Sequence, residues 1–472
     1  MFELHHLSAQ EQWDWIHRGE ITPLELVTHY LERIERLNPE LGAFTTVTPD
    51  AARERATNLE RLVPRSAALW GIPLGDKDLV RRAGVRTTFG SRLFEHFVPE
   101  ISDELVEVLD AAGAISLGKT NAPEFGMPSY TESLVAPPAR NPWDLALGAG
   151  GSSGGAAVAV SAGLLPMSTG SDGGGSIRIP AAATGLVGLK PSRGLVPSGS
   201  GLTSLAGLVT TGPLARSVAD AAMLLDAMID GSEYPYTLRS PRSEDGPLLG
   251  AAVRGEGRFQ LGVMTTSPWD SAYDIRISPE AIAAFEFAVS ELASIGHGVD
   301  EISLEPDDTY APAFRTVWQA GASDLPAETD DQLALLEPLT RWLVENGRRL
   351  PARELVEALG KLTAFERSII RQFRGFDAVL TPAMAQTPRP IGWYSADDPV
   401  LNFAQQVQYT PFTSFANVTG LPAITLPVYQ TETGIPMGVQ LIGRAGGEAT
   451  LLAIGTQLER RIGWQRRHPP AW

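Results

Sequence analysis

The stretch from residue 140 to 215 is dense in glycine and is otherwise largely apolar. Glycine in apolar surroundings indicates close backbone approach inside a fold, not a flexible linker. Two serines are embedded in this glycine, Ser152 within residues 150–154 and Ser176 directly after residues 173–175. No histidine lies near either serine in the sequence. Any fold of this stretch therefore brings two hydroxyl groups into tightly packed backbone without a histidine beside them in the chain.

The charge balance and the missing cysteines exclude several classes of function. The 472 residues include 55 acidic and 38 basic side chains, for a net charge of −17 at pH 7, and no cysteine. Nucleic-acid binding needs clustered Lys and Arg, so no nucleic-acid partner is expected. Disulfides, thiolate metal sites and cysteine nucleophiles are excluded together. No histidine pair has helical metal-ligand spacing, and we expect neither a metal ion nor a cofactor.

The sequence contains no recognisable signal peptide and no apolar stretch long enough to cross a membrane. The first residues lack the basic and apolar segments of a signal peptide. The longest helix-like apolar stretch, residues 156–166, is too short to span a bilayer. We therefore expect a cytoplasmic protein without a membrane partner, acting as a monomer or homodimer.

Hydrophobic periodicity divides the chain into helices and strands. Thr22 followed by Pro23 is a typical helix start. Further helices are predicted at 102–109, 218–229, 333–348 and 352–373, and strands at 114–118, 376–382, 421–428 and 437–443. Residues 232–256 are polar and are predicted to form a surface excursion. Strands near both ends with helices between them favour one intertwined α/β unit.

Three short motifs match patterns of other enzyme classes, but the residues around each argue against it. Residues 113–120 fit the P-loop pattern, yet their centre consists of strand formers and a proline follows in place of a helix. Ser116 and Lys119 fit S-x-x-K, a motif that needs a helical turn where a strand is predicted. Residues 150–154 fit the G-x-S-x-G elbow, but no strand precedes them and the downstream histidines lie in loop-like sequence.

The residues from Asp172 to Ser176 offer the clearest chemistry. Consecutive glycine amides can converge on one point and stabilise a developing oxyanion, and the serine that follows is a candidate nucleophile. A buried lysine can supply the missing base, because desolvation lowers the pKa of its amine. Lys77 is the best candidate by its apolar setting, although Asp76 and Asp78 leave open an ordinary salt-bridged surface lysine.

Residues 149–192 closely resemble the signature segment of the amidase signature family, and the resemblance covers nearly the whole chain. Other matching segments are EITPLELV (20–27), GKTNAPEF (118–125), NPWD (141–144), VGLKPS (187–192), TGPLAR (211–216) and GIPMGVQL (434–441). The resemblance implies a three-layer α/β/α fold with a large mixed, twisted central sheet covered by helices. It further implies a single domain over 1–472, with a signature core at about 70–220 and a helical, substrate-variable region at about 300–375.

The resemblance also implies a catalytic triad. Ser176 matches the nucleophile, and Ser152, 24 residues earlier, matches the bridging serine of a cis peptide bond. Lys77 matches the base. The implied reaction is amide hydrolysis: Lys77 takes a proton from Ser152, Ser152 takes one from Ser176, and Ser176 attacks the carbonyl carbon. Water then hydrolyses the resulting acyl-enzyme.

Further residues around this triad receive roles from the same resemblance. The backbone amides expected to form the oxyanion hole are those of Gly173, Gly174, Gly175 and Ser176. The side chains expected to support the catalytic groups from behind are Ser153, Ser171, Asp172 and Arg178.

Two neighbouring positions bear on specificity. Arg178 has two open interpretations, a contact with a substrate carboxylate and an ion pair with Asp172 that holds the loop, of which we favour the ion pair. Position 179 is Ile, whereas glutaminase subunits of the tRNA-dependent amidotransferase typically carry Gln there. That departure argues against a glutaminase subunit, which remains the alternative function. A non-catalytic member of the fold is disfavoured because all three catalytic residue types are present.

The substrate pocket is predicted less sharply. Met127, Trp318, Trp342, Trp393 and Tyr394 are candidate lining residues, although aromatic side chains are commonly core. Together they favour a small-molecule substrate that is an aryl or otherwise apolar amide, with a cyclic oligoamide, an ester or a carbamate as further candidates.

Overall fold

A large mixed β-sheet runs through the computed structural model, which describes residues 3–196, 204–229, 246–470 and 472. The strands are β1 (Phe44–Val47), β2 (Pro73–Lys77), β3 (Ile115–Thr120), β4 (Arg140–Asn141), β5 (Asp144–Gly148), β6 (Met167–Asp172), β7 (Val187–Lys190), β8 (Thr210–Ala215), β9 (Gln260–Val263), β10 (Gly298–Glu301), β11 (Ala378–Pro382), β12 (Ala423–Gln430) and β13 (Pro436–Gly443). Eight of these described strands form the large sheet in the order β10-β9-β11-β13-β12-β7-β8-β6. A smaller sheet has the order β1-β3-β2, and β4 pairs with β5.

Sixteen α-helices accompany these strands in the described residues. They are α1 (Ala9–Arg18), α2 (Pro23–Leu41), α3 (Pro49–Leu62), α4 (Glu104–Ala111), α5 (Gly154–Ser161), α6 (Arg178–Thr184), α7 (Val218–Ile229), α8 (Leu248–Arg254), α9 (Pro279–Ile295), α10 (Tyr310–Ala322), α11 (Asp330–Leu333), α12 (Pro338–Arg349), α13 (Ala352–Phe373), α14 (Pro399–Tyr409), α15 (Ser414–Val418) and α16 (Glu448–Ile462).

Side-chain alternation along the central strands places helices on both faces of the large sheet. On β13, Met437 packs with α9 and Gly443 faces α16, so these two helices cover one face. Gly438 and Gln440 point the opposite way, toward α6. The fold is thus the expected α/β arrangement, a large mixed sheet covered by helices. The candidate active site lies on the α6 side of this sheet.

Most of the predicted elements are confirmed with bounds within two residues of those predicted, and one helix is corrected. The side chain of Thr22 accepts a hydrogen bond from the Glu25 amide and caps α2, as the Thr-Pro pair predicted. The helix predicted at 333–348 is interrupted, because Pro338 lacks the amide proton that would continue α11 and instead begins α12. Of the predicted surface excursion at 232–256, residues up to 245 lie outside the described residues, and α8 occupies most of the rest.

A search of the helices in the described ranges finds none long and apolar enough to cross a membrane.

Candidate active site

Lys77 is the last residue of β2, and strand geometry separates it from the two acidic residues beside it. Asp76 accepts hydrogen bonds from Arg82 Nε at 2.6 Å and from Ser116 Oγ at 2.7 Å. Asp78 accepts a hydrogen bond from the Thr88 hydroxyl. Because neighbouring side chains of a strand point to opposite sides, Lys77 faces away from these partners. The interpretation of Lys77 as a salt-bridged surface lysine is therefore wrong: it is 1% exposed.

The amine of Lys77 is surrounded by serine oxygens. Lys77 Nζ donates to Ser152 Oγ at 2.8 Å and to Ser171 Oγ at 2.9 Å, and it lies 3.3 Å from the Ser171 carbonyl oxygen. Burial lowers the pKa of Lys77 to about 7, and the negative charge of Asp172 opposes this shift only in part. A large fraction of the lysine is therefore a neutral amine near pH 7, able to accept a proton from a hydroxyl.

Ser152 and Ser153 lie at the start of α5, between β2 and the glycine-rich loop. The Gly151–Ser152 peptide bond is cis. The Ser153 amide donates to the Ser176 carbonyl at 3.1 Å, and the Ser153 hydroxyl bonds with the Ser171 backbone at 3.3 Å. Ser153 thereby joins the segment that carries Ser152 to the segment that carries Ser176. Gly126, which no sequence pattern singles out, lies against this point, and a Cβ there would stand 3.2 Å from Ser152 Oγ.

Ser176 follows β6 and comes two residues before α6, at the end of the glycine loop. Gly175 has a φ of +134°, and a Cβ there would lie 2.4 Å from Thr413 Oγ1, so only glycine fits. The Thr413 hydroxyl donates to the Gly174 carbonyl at 2.6 Å and fixes the orientation of that peptide. The loop is therefore held by α15 and its preceding turn as well as by its own ends.

Asp172 and Arg178 form a fully buried ion pair behind this loop. Arg178 Nε donates to Asp172 Oδ2 at 2.9 Å and Nη2 donates to Oδ1 at 2.8 Å. The remaining guanidinium donors bind the Thr413 carbonyl at 2.8 Å, Gln440 Oε1 at 2.6 Å and Asn417 Oδ1 at 2.7 Å. All five N–H groups are engaged, so Arg178 has none left for a substrate carboxylate. The ion pair with Asp172 that the favoured interpretation expects is present.

The ion pair also determines the charge of Asp172. Burial by itself raises the pKa of the Asp172 carboxyl, but the charge and hydrogen bonds of Arg178 outweigh it and hold the pKa well below its usual range. Asp172 is therefore a buried carboxylate at neutral pH, and the positive charge of Arg178 balances its negative charge.

Replacing Arg178 with Met is expected to lower the free energy of unfolding by about 3–5 kcal/mol, because Asp172 is left buried without its partner. Chemical denaturation measures this difference. The matched control is Arg353→Met, which removes an exposed ion pair with Glu357 on α13 and is expected to change stability by less than about 0.5 kcal/mol. A loss below about 1 kcal/mol at Arg178 would contradict the role given to the pair.

The hydrogen bonds of Asp172 correct one part of the expected oxyanion hole. The Gly175 amide donates to Asp172 Oδ1 at 2.7 Å and the Ile177 amide donates to Oδ2 at 3.1 Å. Because an amide carries a single proton, Gly175 is engaged inside the loop and is not available to an oxyanion. Gly173, Gly174 and Ser176 remain as candidate donors.

Two cavities meet at Ser176. Their shared lining residues are Met127, Ser176 and Trp318. The first, here the aromatic cavity, encloses about 590 Å³ of empty space, part of it open to solvent, and its other lining residues include Trp269, Phe314, Leu339, Leu343, Phe403 and Val407. The second, here the wide cavity, encloses about 1150 Å³ of empty space, also partly open to solvent, and its other lining residues include Leu79, Val80, Ser152, Gly173, Val209 and Gly321.

The cavities divide the predicted pocket residues into two groups. Met127 and Trp318 lie beside Ser176, whereas Trp393 and Tyr394 line neither cavity. Tyr394 stacks on Tyr130 with ring centroids 4.0 Å apart, and Trp393 packs edge-on against Tyr394. Placing these two in the pocket was wrong, because they form a separate aromatic cluster. Trp342 likewise lies outside both linings and packs toward Phe403.

Several lining residues were missed by the sequence analysis. Tyr310, Phe314 and Trp318 recur every four residues on α10, so the helical period places them on one face, and this was the signal available for Phe314. Trp269 and Phe403 had no such signal, because they reach the site from a loop and from α14. Their positions follow from tertiary packing alone.

The P-loop match has a structural explanation. Residues 115–120 form β3, and Lys119 is fully buried, with its amine bonded to the Val80 carbonyl and the Thr87 hydroxyl. Phosphate binding needs an open loop of backbone amides at this position. The strand that occupies it removes the basis for a nucleotide site.

One group of side chains in the described part of the chain brings three metal-ligand atoms together. These atoms, from Glu3, His5 and His29, lie within 4.8 Å of one another. The Arg33 guanidinium lies 3.7 Å from the Glu3 carboxylate and already compensates its charge. Burial and this cation lower the pKa of His5 to about 2. The local field is positive and opposes a metal cation, so we assign no metal to this group.

Comparison with known proteins gives matches along nearly the full length. The family model described as Amidase matches residues 25–452. A protein named Putative amidase AmiB2, from Mycobacterium tuberculosis (strain ATCC 25618 / H37Rv), is 37% identical over 457 residues, covering 96% of this chain and 95% of that protein. A glutamyl-tRNA(Gln) amidotransferase subunit from Roseiflexus sp. (strain RS-1) is 35% identical over 495 residues, covering 99% and 98%.

A solved structure is similar over the same extent. The structure of a 6-aminohexanoate cyclic dimer hydrolase complexed with substrate superposes with a TM-score of 0.91 at 29% identity. The match covers 99% of this chain and 100% of that chain.

Proposed function

The chain belongs to the amidase signature family, whose members hydrolyse amide carbon–nitrogen bonds, and from this premise we propose that it acts alone on neutral, apolar amides through an acyl-enzyme at Ser176. The observation that carries the proposal is the buried Lys77 amine, 2.8 Å from Ser152 Oγ and with its pKa lowered to about 7. The two other buried lysines of the described residues, Lys119 and Lys190, bond instead to the backbone carbonyls of Val80 and Pro191.

The proposed reaction begins with a proton relay. Neutral Lys77 takes the proton of Ser152, Ser152 takes the proton of Ser176, and the Ser176 oxygen attacks the amide carbon. The carbon–nitrogen bond then breaks, and the leaving nitrogen receives the proton back through Ser152. Water, deprotonated by the same relay, attacks the acyl-enzyme and releases the carboxylic acid. The protonation state of the relay is restored after each turnover.

The oxyanion formed in both halves of the reaction needs hydrogen-bond donors. We assign this role to the backbone amides of Gly173, Gly174 and Ser176, which belong to the loop fixed by Thr413 and Asp172. Each such donor typically contributes about 3–4 kcal/mol to stabilisation of the transition state. Because Arg178 and Asp172 hold the loop, these donors are oriented before the substrate arrives.

The lining of both cavities supports a neutral substrate. The described residues that line them include no Asp, Glu, Lys, Arg or His. A charged group bound there would lose its hydration without gaining a partner, and the cost amounts to several kcal/mol. The structural similarity to a 6-aminohexanoate cyclic dimer hydrolase supports the cyclic amides among the candidate substrates.

A panel of matched anilides tests the proposal. Hexanoyl anilide is expected to have a kcat/KM at least about 100-fold above those of adipic acid monoanilide and 6-aminohexanoyl anilide, because each of the latter buries an unpaired charge. The released aniline is measured. Equal rates for the neutral and charged members would contradict the neutral-substrate proposal.

The second candidate function, a glutaminase subunit, is favoured by the 35% identity to the Roseiflexus amidotransferase protein. Glutamine carries both an ammonium and a carboxylate, and neither meets an opposite charge in the two cavities. Ile179, at the position where such subunits typically carry Gln, lines the aromatic cavity. Including glutamine in the panel separates the two functions: ammonia release from glutamine at a rate above that of the neutral anilides would favour the glutaminase.

A further inference from the structure

We propose that the two cavities divide the substrate at the bond that is cleaved: the acyl group occupies the aromatic cavity, and the leaving amine occupies the wide cavity. This assignment rests on the proposed function and specifies its substrate class. It predicts an apolar acyl group of limited size and a wider tolerance for the amine.

The position of the proton donor sets the direction of the substrate. The leaving nitrogen has to receive a proton from Ser152 Oγ, so it must lie within hydrogen-bond reach of that atom. Ser152 and Ser171, the two serines whose hydroxyls bond to Lys77, line the wide cavity and do not line the aromatic cavity. Ser176, which bonds to the carbonyl carbon, lines both. The nitrogen therefore lies on the side of the wide cavity, and the acyl group extends the other way.

Hydrolysis of the acyl-enzyme, the second half of the reaction, requires the same orientation of the substrate in the two cavities. The water that hydrolyses the acyl-enzyme must be deprotonated through Ser152, so it occupies the place that the amine has left. The acyl group must stay bound while amine and water exchange. With the amine in the wide cavity, this exchange takes place beside Ser152 and leaves the aromatic cavity filled.

The chemistry of the aromatic cavity fits a retained apolar group. The polar groups of four of its side chains are already engaged within the protein, whereas the buried Ser129 hydroxyl, among its described residues, has no hydrogen-bond partner. Gln406 accepts from the Ser129 amide at 2.7 Å and donates to Asn402 at 2.7 Å. The Thr410 hydroxyl donates to the Gln406 carbonyl at 3.0 Å, and Ser414 Oγ accepts from Trp269 Nε1 at 3.0 Å. The acyl group consequently meets mainly the faces of Trp269, Phe314, Trp318 and Phe403.

Trp318 and Met127 mark the boundary between the two subsites, because both line each cavity. Trp318 stacks on Phe314 with ring centroids 5.6 Å apart. Gly173 faces Trp318 across the boundary, and a Cβ at Gly173 would lie 3.4 Å from the indole. A side chain at this position would narrow the passage on the amine side, so its absence favours a bulky amine.

Two cavity-filling substitutions test the assignment separately. Gly321 is a helical residue on α10 where a Cβ meets nothing within 4 Å, so Gly321→Phe fills the wide cavity without steric conflict at its base. Val407→Phe fills the aromatic cavity from α14. The matched control is Gly360→Phe, at an exposed helical glycine of α13 that is equally unobstructed and remote from both cavities.

Each variant is measured against two substrate series. One keeps aniline as the amine and lengthens the acyl group from acetyl to hexanoyl. The other keeps butanoyl as the acyl group and enlarges the amine from ammonia through aniline to 2-naphthylamine. The measured quantity is kcat/KM for each member, with the thermal midpoint of each variant recorded alongside.

Val407→Phe is expected to lower kcat/KM for the hexanoyl member relative to the acetyl member by about tenfold or more, and to leave the dependence on amine size as in the parent. Gly321→Phe is expected to lower kcat/KM for the naphthylamide relative to the primary amide by a similar factor, with the parent dependence on acyl length. Gly360→Phe is expected to match the parent in both series.

The outcomes distinguish this assignment from the proposed function. If the two variants act on the opposite series, or on both series alike, the assignment of the cavities is overturned and the amidase function stands. If the parent hydrolyses no member of either series, the proposed function itself fails, and the assignment fails with it. Should either variant unfold, Leu343→Phe on α12 repeats the test of the aromatic cavity and Val209→Trp, at a 41% exposed position, repeats that of the wide cavity.

Discussion

Replacing Ser176 with Ala is expected to lower kcat for amide hydrolysis by about five to six orders of magnitude, the loss typical of removing the nucleophile of a serine hydrolase. The substitution deletes one oxygen from a residue that is 8% exposed, so the fold is expected to be kept. Aniline release measures the rate, and a thermal midpoint equal to that of the parent shows that the loss is chemical.

The control for this substitution is another buried serine. Ser161 on α5 donates to the Thr184 carbonyl at 2.8 Å and lies outside both cavities, so Ser161→Ala is expected to keep full activity. A fluorophosphonate probe followed by peptide mapping gives an independent readout. An adduct at a residue other than Ser176, or hydrolysis by Ser176→Ala at the parent rate, would refute the assignment of the nucleophile.

The rate is also expected to depend on pH in the way that a neutral lysine base requires. Burial lowers the pKa of Lys77 to about 7, and only the unprotonated amine can accept a proton from Ser152. Below this pKa, kcat/KM should fall by about tenfold per pH unit as the amine becomes protonated, and above it the rate should level off. A profile that is flat from pH 5 to pH 9 would contradict the role of Lys77.

Two substitutions separate the basicity of Lys77 from its charge. Lys77→Met and Lys77→Arg are each expected to lower kcat/KM by about 10³ to 10⁴, because neither side chain can act as a base near neutral pH. Arg keeps the positive charge, so activity in Lys77→Arg alone would indicate an electrostatic role instead.

Lys190 requires a separate control, because burial also lowers its pKa to about 7. Its amine donates to the Pro191 carbonyl at 2.8 Å, whereas the amine of Lys77 bonds to the Ser152 and Ser171 hydroxyls. The kcat/KM of Lys190→Met is therefore expected to fall at low pH in the same way as that of the parent. If kcat/KM of Lys190→Met no longer fell below pH 7, the titration would belong to Lys190 and not to Lys77.

The elements that the sequence predicts well are those set by local patterning. The helix predicted at 352–373 is observed with the same bounds, and the last strand, predicted at 437–443, extends by one residue to Pro436. In both segments the apolar spacing agrees with the burial observed in the structure, so propensity and packing favour the same result. Where they differ, as at Pro338, a single residue without an amide proton decides the boundary.

The residues of the candidate site likewise fall into those that local sequence patterns predict and those that depend on tertiary packing. Ser152, Ser176 and Asp172 are close in sequence and flanked by glycine, so a local pattern was enough to single them out. Trp393 and Tyr394 were misplaced because aromatic character gives no direction, and Tyr130 provides an alternative stacking partner. Phe403 and Trp269 come from distant segments, and only the packing of α14 and the loop before α9 shows that they meet at Ser176.

The Gly175 amide, which donates to Asp172, is a further feature that local sequence patterns do not predict. Three consecutive glycines predict several free amides, but the sequence does not show which of them Asp172 captures. That depends on how the Asp172 carboxylate is oriented, which Asn417, 245 residues further along the chain, helps to fix through its hydrogen bond to Oδ1.

The hydrogen bonds of Arg178 also have a consequence for the synthesis of the protein. They reach 235, 239 and 262 residues along the chain, to Thr413, Asn417 and Gln440. On the ribosome, the segment with Ser176 therefore emerges long before the residues that organise it. A nascent or prematurely terminated chain that ends before residue 413 holds both serines and the lysine but lacks these three partners of Arg178. Such a chain is therefore expected to be inactive.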